Sequence, residues 1–316
     1  MKKLIIFPII FGTLLLIGGG AIFAIGFAKR DKAALKNETK TVEAFTNFDI
    51  NLLTSDFELK TSTDGTYSVE VNEYEKMPHK IEVVDGTLTI KQSNNWNWYE
   101  RIFNFGFLKE YVKVYAPAGA YANFKIDNDT GDVNLPAEFN FTTMNLDLNT
   151  GKANINSSAT EYIKIEGNTG DAKINEVNTA SLDIDIDTGD ITLTKVNVTK
   201  DITLKTDTGR TTLNQTTFEN IKIDVGTGDV KLINTVGTGK ITIKASTSDV
   251  TFDSSDSHDI DVDTDTGDVE GTLLTGKVFD ARSGTGKVKV PDNDLTTGGT
   301  CKIRTDTGKI NISIKA

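Results

Sequence analysis

The stretch 184-IDIDTGDITL-193 combines two patterns, since apolar residues alternate with polar ones on both sides of an Asp-Thr-Gly-Asp phrase. Alternation with a period of two is typical of a β-strand with one buried face, whereas a helix needs apolar spacings of three and four. Glycine suits a tight corner because it adopts positive φ without strain. The stretch therefore predicts two short strands joined by a corner, although its aspartates also suggest a cation site.

The Thr-Gly pair of this stretch recurs through the C-terminal two thirds of the chain. Apolar residues keep a fixed register to it, seven and five places before the glycine and two and four places after. A unit this short cannot bury its apolar face alone, whereas stacked copies form a continuous core. The marker is glycine in nine copies and Ser248 in the tenth, at positions 131, 151, 170, 189, 209, 228, 248, 267, 286 and 308.

Ten copies at intervals of 19 to 22 residues predict an all-β fold, a single-stranded parallel β-solenoid with 19–20 residues in most coils. We expect a right-handed solenoid, and ten coils at about 4.8 Å each would span about 48 Å. Cys301, the one cysteine, occupies an inward position that is apolar in other copies, so it is predicted to be a buried hydrophobe and not a catalytic thiol.

The corner phrase fits a structural role better than a metal role. The residue before each Thr is Asp, Asn, Ser or Gly, all of which tolerate turn conformations. A calcium ladder would keep carboxylates after every glycine, yet four copies carry Lys152, Arg210, Lys287 or Lys309 there. Incidental calcium at the Asp187/Asp190 and Asp265/Asp268 corners is the weaker alternative. The ten threonines predict hydroxyl-to-backbone bonds in a turn, not a flat ice-binding face.

The N-terminus predicts a transmembrane anchor over residues 1–28, with a short cytoplasmic end and a charged linker over 29–40. Residues 4–27 contain no charged side chain over 24 positions, and about 20 apolar residues span a bilayer. A cleaved signal peptide is the alternative, although its apolar region is usually about 7–15 residues long. Residues 33–316 carry 29 basic and 44 acidic residues, a net of −15 that disfavours nucleic acid and suits an extracytoplasmic domain.

The chain between the linker and the repeat is less regular. Residues 41–118 are predicted to form irregular first coils and an N-terminal cap, and residues 119–316 the ten-coil solenoid. Within the first part, 96-WNWYERIFNFGF-107 is unusually aromatic. It is predicted either to cover the end of the solenoid or to contact a glycan, a lipid or another envelope protein, through Trp96, Trp98, Tyr99, Phe103, Phe105 and Phe107.

Catalytic, cofactor-binding and metal-binding residues are not predicted. The sequence has no Gly-x-Ser-x-Gly or phosphate-loop motif, and its two histidines, His79 and His258, have no partner at a recognisable spacing. No pair of carboxylates stands out from the repeat. Some solenoids cleave polysaccharides, which keeps an envelope polysaccharide enzyme as an alternative.

The repeated phrases also resemble a known family. Behind the apolar N-terminus come 85-DGTLTI-90 and 114-VYAPAG-119, and then 187-DTGDITL-193, 206-TDTGRTTL-213 and 225-VGTGDVKL-232. Over about residues 45–316 the chain is similar to the bacterial putative-adhesin family, a β-strand-repeat domain of unknown function common in membrane-anchored proteins of Gram-positive bacteria. The resemblance implies a cell-envelope protein. Some members stand near envelope-stress regulation and others are taken to be adhesins, and the family has no catalytic residues to carry over.

Together these observations predict a non-enzymatic, single-pass membrane protein whose extracytoplasmic solenoid acts in adhesion or envelope sensing. The alternatives are a polysaccharide-acting enzyme and a scaffold that assembles end to end, the latter because the last coil ends with the chain and lacks an evident cap.

Overall fold

The computed structural model describes residues 35–95, 109–296 and 299–315, and every regular element in these ranges is a β-strand. Seven strands precede the repeat: β1 (Leu35–Thr41), β2 (Asn47–Leu52), β3 (Asp56–Thr61), β4 (Ser68–Tyr74), β5 (His79–Val84), β6 (Thr87–Gln92) and β7 (Tyr111–Ala116).

Each coil of the repeat contributes one strand before its Thr-Gly corner and one after it. The strands before the corner are β8 (Gly119–Thr130), β10 (Phe139–Thr150), β12 (Ser158–Thr169), β15 (Ser181–Thr188), β18 (Asp201–Thr208), β21 (Asn220–Thr227), β24 (Lys240–Thr247), β26 (Asp259–Thr266), β28 (Val278–Thr285) and β30 (Thr300–Thr307). The strands after it are β9 (Val133–Leu135), β11 (Ala153–Ile155), β13 (Ala172–Asn175), β16 (Ile191–Thr194), β19 (Thr211–Asn214), β22 (Val230–Ile233), β25 (Val250–Asp253), β27 (Val269–Leu273), β29 (Val288–Lys289) and β31 (Ile310–Ile314). Four coils add a short third strand: β14 (Asn178–Thr179), β17 (Asn197–Val198), β20 (Thr217–Phe218) and β23 (Val236–Gly237).

These strands form a parallel β-solenoid with two sheets that run its length and a third that spans four coils, which confirms the predicted β-solenoid. The 14-stranded sheet has the order β1-β4-β7-β3-β9-β11-β13-β16-β19-β22-β25-β27-β31-β29. The 13-stranded sheet has the order β28-β30-β26-β24-β21-β18-β15-β12-β10-β8-β2-β6-β5, and β14, β17, β20 and β23 form the third. Like residues stack on like: Ile184 pairs with Ile165 on one side and Leu204 on the other.

The inward register predicted from the sequence is observed in nine of the ten repeat coils. Within β15, Leu182, Ile184 and Ile186 are buried, whereas the residues between them face outward. The exception is the coil of β28 and β29, in which Phe279 and Ala281 are only partly buried and Val288 is 43% exposed. This coil is less buried because it is the outermost layer.

The stacking order at the C-terminal end differs from the chain order. Strand β30 lies between β26 and β28, and β31 lies between β27 and β29. The chain therefore leaves the coil of residues 259–273, builds the outermost layer with residues 278–289, and returns to fill the vacant layer beneath it with residues 300–314. The expectation that the last coil in the sequence is the open end of the solenoid is wrong, because the coil before it covers it.

At the N-terminal end, too, the stacking order differs from the chain order. Strands β2 and β3 form the second layer, because β2 lies between β6 and β8, and β3 lies between β7 and β9. Strands β6 and β7 form the outermost layer, and antiparallel strands then cover it: β5 pairs with β6, and β4 and β1 follow β7. Twelve layers result, about 53 Å from first to last at the usual strand spacing.

The core changes character along this length. Its N-terminal part is aromatic, with Phe48 in ring contact with Phe124 and Phe141 at centroid distances of 5.3 and 5.9 Å. From the fourth repeat coil onward, Ile, Leu and Val predominate. In residues 35–95, 109–296 and 299–315, no helix is long and apolar enough to cross a membrane. The predicted anchor over residues 1–28 lies outside these ranges.

Candidate interaction surface at the N-terminal end

The Asp-Thr-Gly-Asp corners are built by contacts between neighbouring coils. Gly189 has a φ of +151°, and a Cβ atom there would lie 1.9 Å from the carbonyl oxygen of Gly170 in the preceding coil. Oδ1 of Asp190 accepts a 2.8 Å hydrogen bond from the backbone N–H of Arg210, the equivalent residue of the next coil. Asp268 accepts a bond of the same length from the N–H of Lys309.

The carboxylate after the glycine therefore holds the next coil in place, and this accounts for its recurrence without a cation. A basic residue at the same position retains the backbone N–H that donates to the carboxylate of the preceding coil, so Lys152 and Arg210 interrupt the row of carboxylates without disrupting the stack. Within the part of the chain that the structure describes, no group of three His, Cys, Asp or Glu side chains is placed to hold a metal ion.

Cys301 is buried in the solenoid core. Burial raises the pKa of its thiol to about 12. Since the thiolate is the reactive form, burial and the raised pKa both disfavour reaction of this thiol at neutral pH.

The structure gives each histidine a carboxylate partner that the sequence did not reveal. His79 Nδ1 lies 2.7 Å from Oε2 of Glu73, and its Nε2 lies 3.0 Å from Oγ of Ser55. His258 Nδ1 lies 3.1 Å from Oδ2 of Asp259, at the surface. These are spatial partners, and the sequence showed none at a recognisable motif spacing. Glu73 and His79 lie on β4 and β5, and Ser55 lies between β2 and β3, so only the layered cap brings them together.

The order Ser55, His79, Glu73 matches the order of groups in a hydrolytic triad. However, Ser55 and the side chain of His79 are both 0% exposed, so no substrate reaches the hydroxyl in this structure. Burial lowers the pKa of His79, while the hydrogen bond and charge of Glu73 act in the opposite direction. This arrangement satisfies buried polar atoms and ties β4 and β5 to the second layer.

A second buried group adjoins the first. Glu110 Oε1 accepts a 3.1 Å hydrogen bond from Nε2 of Gln92, and its Oε2 accepts one from the hydroxyl of Thr54. Gln92 Oε1 in turn accepts bonds from the N–H groups of Leu53 and Thr54, at 2.8 and 3.0 Å. Burial raises the pKa of Glu110. We call the two groups together the polar hub: Thr54, Ser55, Glu73, His79, Gln92 and Glu110.

The polar hub includes Gln92 and Glu110, which lie shortly before and shortly after the aromatic segment 96–107 in the sequence. That segment falls in residues 96–108, outside the described residues, so its predicted contacts are not observed. On one side, β6 ends at Gln92, and the N–H of Asn95 bonds the carbonyl of Lys76 at 2.8 Å. On the other side stands Glu110, preceded by Lys109, whose Nζ lies 3.0 Å from Oδ2 of Asp56.

The point where the chain arrives from the predicted anchor lies close to these attachments. Leu35, the first described residue, pairs with Tyr74 across β1 and β4. The N–H of Tyr74 lies 3.5 Å from Oε1 of Glu110. Neighbouring strands are about 4.8 Å apart, so residue 35 and residue 109 lie within about 10 Å of each other across two strand spacings. Leu35 and the residues that flank the aromatic segment, Asn95 and Lys109, therefore all lie at the N-terminal end of the solenoid.

A second candidate region is a shallow groove of about 390 Å³ near the start of the third sheet. Small polar side chains form much of its lining, and Tyr162, 36% exposed, lies three residues beyond Ala159 in the same strand. The lining includes Asn140, Ser158, Thr160, Asn178 and Thr199. Such a surface can offer hydrogen bonds to a polar ligand.

Comparison with known proteins agrees with this architecture. The family model of Toastrack DUF4097 matches residues 45–203 and 191–316. The chain belongs to the Toastrack DUF4097 family. No curated protein matches it. Similar solved structures include a putative adhesin from Bacteroides fragilis, 14% identical over 90% of this chain and 99% of the other, with a TM-score of 0.43. A putative lipid binding protein from Parabacteroides distasonis is 13% identical over 89% of this chain and 98% of the other, with a TM-score of 0.47.

Membership confirms the predicted resemblance to a putative-adhesin family of unknown function. The family match and the parallel sheets agree on a repeated β-solenoid, and the polar hub and the exchanged layers are features of this chain that the repeat pattern does not contain.

Proposed function

We propose that this Toastrack DUF4097 protein is a membrane-anchored, extracytoplasmic β-solenoid that works by binding and not by catalysis. Residues 1–28 would hold it in the bilayer, and the solenoid would stand outside the cell as an adhesin or an envelope-sensing component. The carboxylates of the corners and the serine, histidine and glutamate of the polar hub are already engaged in structural hydrogen bonds. That engagement favours a binding role over an enzymatic one.

The observation that carries the proposal is the proximity of Leu35 and Lys109 at the N-terminal end, since these residues adjoin the chain from the predicted anchor and the aromatic segment. If residues 1–28 cross the bilayer, a segment that joins the solenoid beside Leu35 would stand near the bilayer surface, where tryptophan and tyrosine are favoured because their rings are amphipathic. We therefore propose lipid at the membrane interface as the partner of Trp96, Trp98, Tyr99, Phe103, Phe105 and Phe107. The outward rows of Asn, Asp, Lys and Thr then remain available to envelope partners farther from the membrane.

The two tryptophans of the chain are Trp96 and Trp98, so its tryptophan fluorescence reports on this segment alone. The full chain, reconstituted into phospholipid vesicles, should show emission that brominated lipids quench. The matched control replaces both tryptophans with Phe and introduces Leu295→Trp at the opposite end, where Leu295 is 80% exposed. Emission from the control should not be quenched.

Equal quenching in both proteins would rule out an interfacial position of the segment. If envelope glycans shift the emission while bromolipids leave it unchanged, the segment contacts glycan and the lipid assignment is wrong. Release of shortened glycan products by the full chain would overturn the non-enzymatic proposal and favour the polysaccharide enzyme. Digestion of the solenoid by protease added to intact cells is expected, and protection would contradict an extracytoplasmic position.

A further inference from the structure

The two ends of the solenoid are finished differently. At the N-terminal end, antiparallel strands β5 and β4 extend both large sheets beyond the last parallel layer. At the C-terminal end, β28 and β29 are the final strands of the sheets, and no described strand pairs with their outer edges. Open strand edges are templates for pairing with another chain, because their N–H and C=O groups lack partners.

Strand β28 exposes a definite set of backbone groups. The N–H of Val278 bonds the carbonyl of Gly299 on the side of β30, so the alternate residues Phe279, Ala281 and Ser283 direct their N–H and C=O groups toward the open edge. Asn293 Oδ1 accepts the N–H of Phe279 at 2.8 Å. The edge-facing backbone groups of Ala281 and Ser283 have no hydrogen-bond partner among the described residues.

The outward side chains of β28 are self-complementary in charge. Asp280 and Arg282 flank Ala281 and lie on the same face of the strand. If a second copy of β28 pairs antiparallel about a two-fold axis at Ala281, each Asp280 stands opposite Arg282 of the other copy. Within the single chain Asp280 already bridges Arg282 and Arg304, which stack in register, with both its oxygens 3.0 Å from a guanidinium nitrogen. In the pair, each Asp280 would also face Arg282 of the other copy, and opposite charges across paired strands are stabilising.

Apolar surface surrounds the same edge. Phe279, Ala281 and Val290 are only partly buried, Val288 is 43% exposed, and Leu295 is 80% exposed. The first four of these residues belong to the outermost layer. In the interior coils, the side chains at the equivalent inward positions are fully covered. A second copy placed end to end would continue the core across the axis and remove this apolar surface from water.

The opposite end of the same 13-stranded sheet, strand β5, does not offer an equivalent edge. Strand β5 carries a similar charge pair, Lys80 and Glu82 around Ile81, with a 2.8 Å salt bridge between them. However, the carbonyl of Ile81 already accepts a 2.6 Å hydrogen bond from Nζ of Lys40. The centre of the β5 edge is therefore occupied within the chain, whereas the centre of the β28 edge is open.

We propose that the C-terminal end of the solenoid is a homodimerisation surface, in which two copies of this chain pair their β28 strands antiparallel about a two-fold axis at Ala281. Ala281 exchanges two hydrogen bonds with its counterpart, and the N–H of each Ser283 bonds the carbonyl of Phe279 in the other copy. Asn293 keeps its bond to the N–H of Phe279. The interface is isologous and closes at two subunits, so it forms dimers and not filaments.

The test is the mass of the full chain, measured in detergent by light scattering and sedimentation over a range of protein concentrations. The wild-type chain should shift from monomer to dimer as concentration rises. Ala281→Pro removes an N–H that faces the edge and bonds nothing within the described chain, so it should leave the fold intact and abolish the dimer. A wild-type chain that stays monomeric throughout, or an Ala281→Pro variant that dimerises as well, would overturn the proposal.

Charge reversal provides an independent check. Asp280→Arg places arginines opposite each other across the axis and should weaken dimerisation, whereas Asp280→Arg combined with Arg282→Asp restores opposite charges and should recover it. The matched control is Lys80→Glu on β5, which should leave dimerisation unchanged. Loss of the dimer in this control, or failure of the double reversal to restore it while its strand content is retained, would show that β28 is not the pairing edge.

Discussion

The stack of corner glycines gives a sharp prediction about stability, because the structure separates two costs of adding a side chain. In Gly189→Ala the residue must keep a φ of +151°, and its Cβ would lie 1.9 Å from the carbonyl oxygen of Gly170. Gly119→Ala is the matched control, since its φ is +147° but no atom lies within 4 Å of the added Cβ. The control therefore carries the backbone cost alone.

The magnitudes follow from these geometries. Holding alanine at positive φ costs about 1–3 kcal/mol in either variant. In Gly189→Ala the neighbouring coil must also retreat by more than about 1 Å to reach ordinary contact, and such overpacking costs about 1–3 kcal/mol more. We expect a total loss of about 4 kcal/mol for Gly189→Ala and about 2 kcal/mol for Gly119→Ala.

Hydrogen exchange followed by mass spectrometry is the suitable assay, because solenoid coils contact only their neighbours and unfold locally. Exchange should accelerate in Gly189→Ala across residues 163–193, which include both contacting coils, while residues 300–314 are unchanged. Gly119→Ala should show a smaller local effect around β8. If the two variants lose the same stability, contact between coils does not explain the glycine and the argument from stacking is refuted.

Three further predictions concern polar groups. Asp190→Ala should lower the free energy of unfolding by about 1 kcal/mol because it removes the bond from the N–H of Arg210. Asp187→Ala should have little effect. Equal losses of the two variants in urea unfolding would contradict the role of the corner carboxylate. His79 has a folded pKa below its unfolded value of 6.5, so the unfolded chain binds a proton first as the pH falls. Stability should therefore fall by up to about 1.4 kcal/mol per pH unit as pH drops from 6.5 to the folded pKa. His79→Gln should flatten that slope, and an unchanged slope would contradict the assignment. Lys277→Met leaves Asp256 buried without its 3.0 Å partner and should lower the free energy of unfolding by about 3–5 kcal/mol. Lys309→Met removes a partner from an exposed pair and should lower it by about 1 kcal/mol or less. Thermal unfolding compares the two variants, and similar losses would count against a buried ion pair.

The repeat made the fold predictable from sequence. The period, the inward rows and the corner at Gly189 all depend on contacts between equivalent residues of successive coils, and such contacts appear in the sequence as self-similarity. Positive φ also recurs six places after the marker, at Glu176, Lys195, Gln215, Asn234 and Ser254. The sequence did not reveal this second corner, because residues of such different chemistry share only a backbone conformation.

The order of the layers was not predictable in the same way. Gly308 stacks on Gly267. Gly286 could have taken the same place equally well, since every coil presents the same corner to its neighbour. The spacing of 22 residues before Gly308 and the partly polar residues around Lys277 were the available signals, and neither specifies a crossover. The polar hub was hidden for a related reason: Ser55, Glu73 and His79 come from three places in the irregular region and share no motif spacing.

The buried charges explain how one layer order is selected. The four charged residues buried in the described chain are Glu73, Glu110, Asp256 and Lys277. The first two lie in the N-terminal cap, Lys277 lies in the C-terminal crossover, and Asp256 contacts that crossover from the coil before it. At the C-terminal crossover, Oδ2 of Asp256 accepts bonds from the N–H groups of Leu274 and Thr275, while Nζ of Lys277 bonds the carbonyl of Ser257 at 2.7 Å. Near-identical coils could exchange places with little loss of apolar contact, but a misplaced coil would leave these charges unpaired at a cost of several kcal/mol. We infer that apolar residues make the solenoid stable and that these buried charges make its layer order unique. The double variant Asp256→Leu with Lys277→Met tests this inference. It should recover most of the stability that Lys277→Met alone loses, because no buried charge is left unpaired. It should nevertheless expose Cys301 to thiol reagents in a fraction of molecules. Uniform protection of Cys301 in that variant would show that the order is set elsewhere.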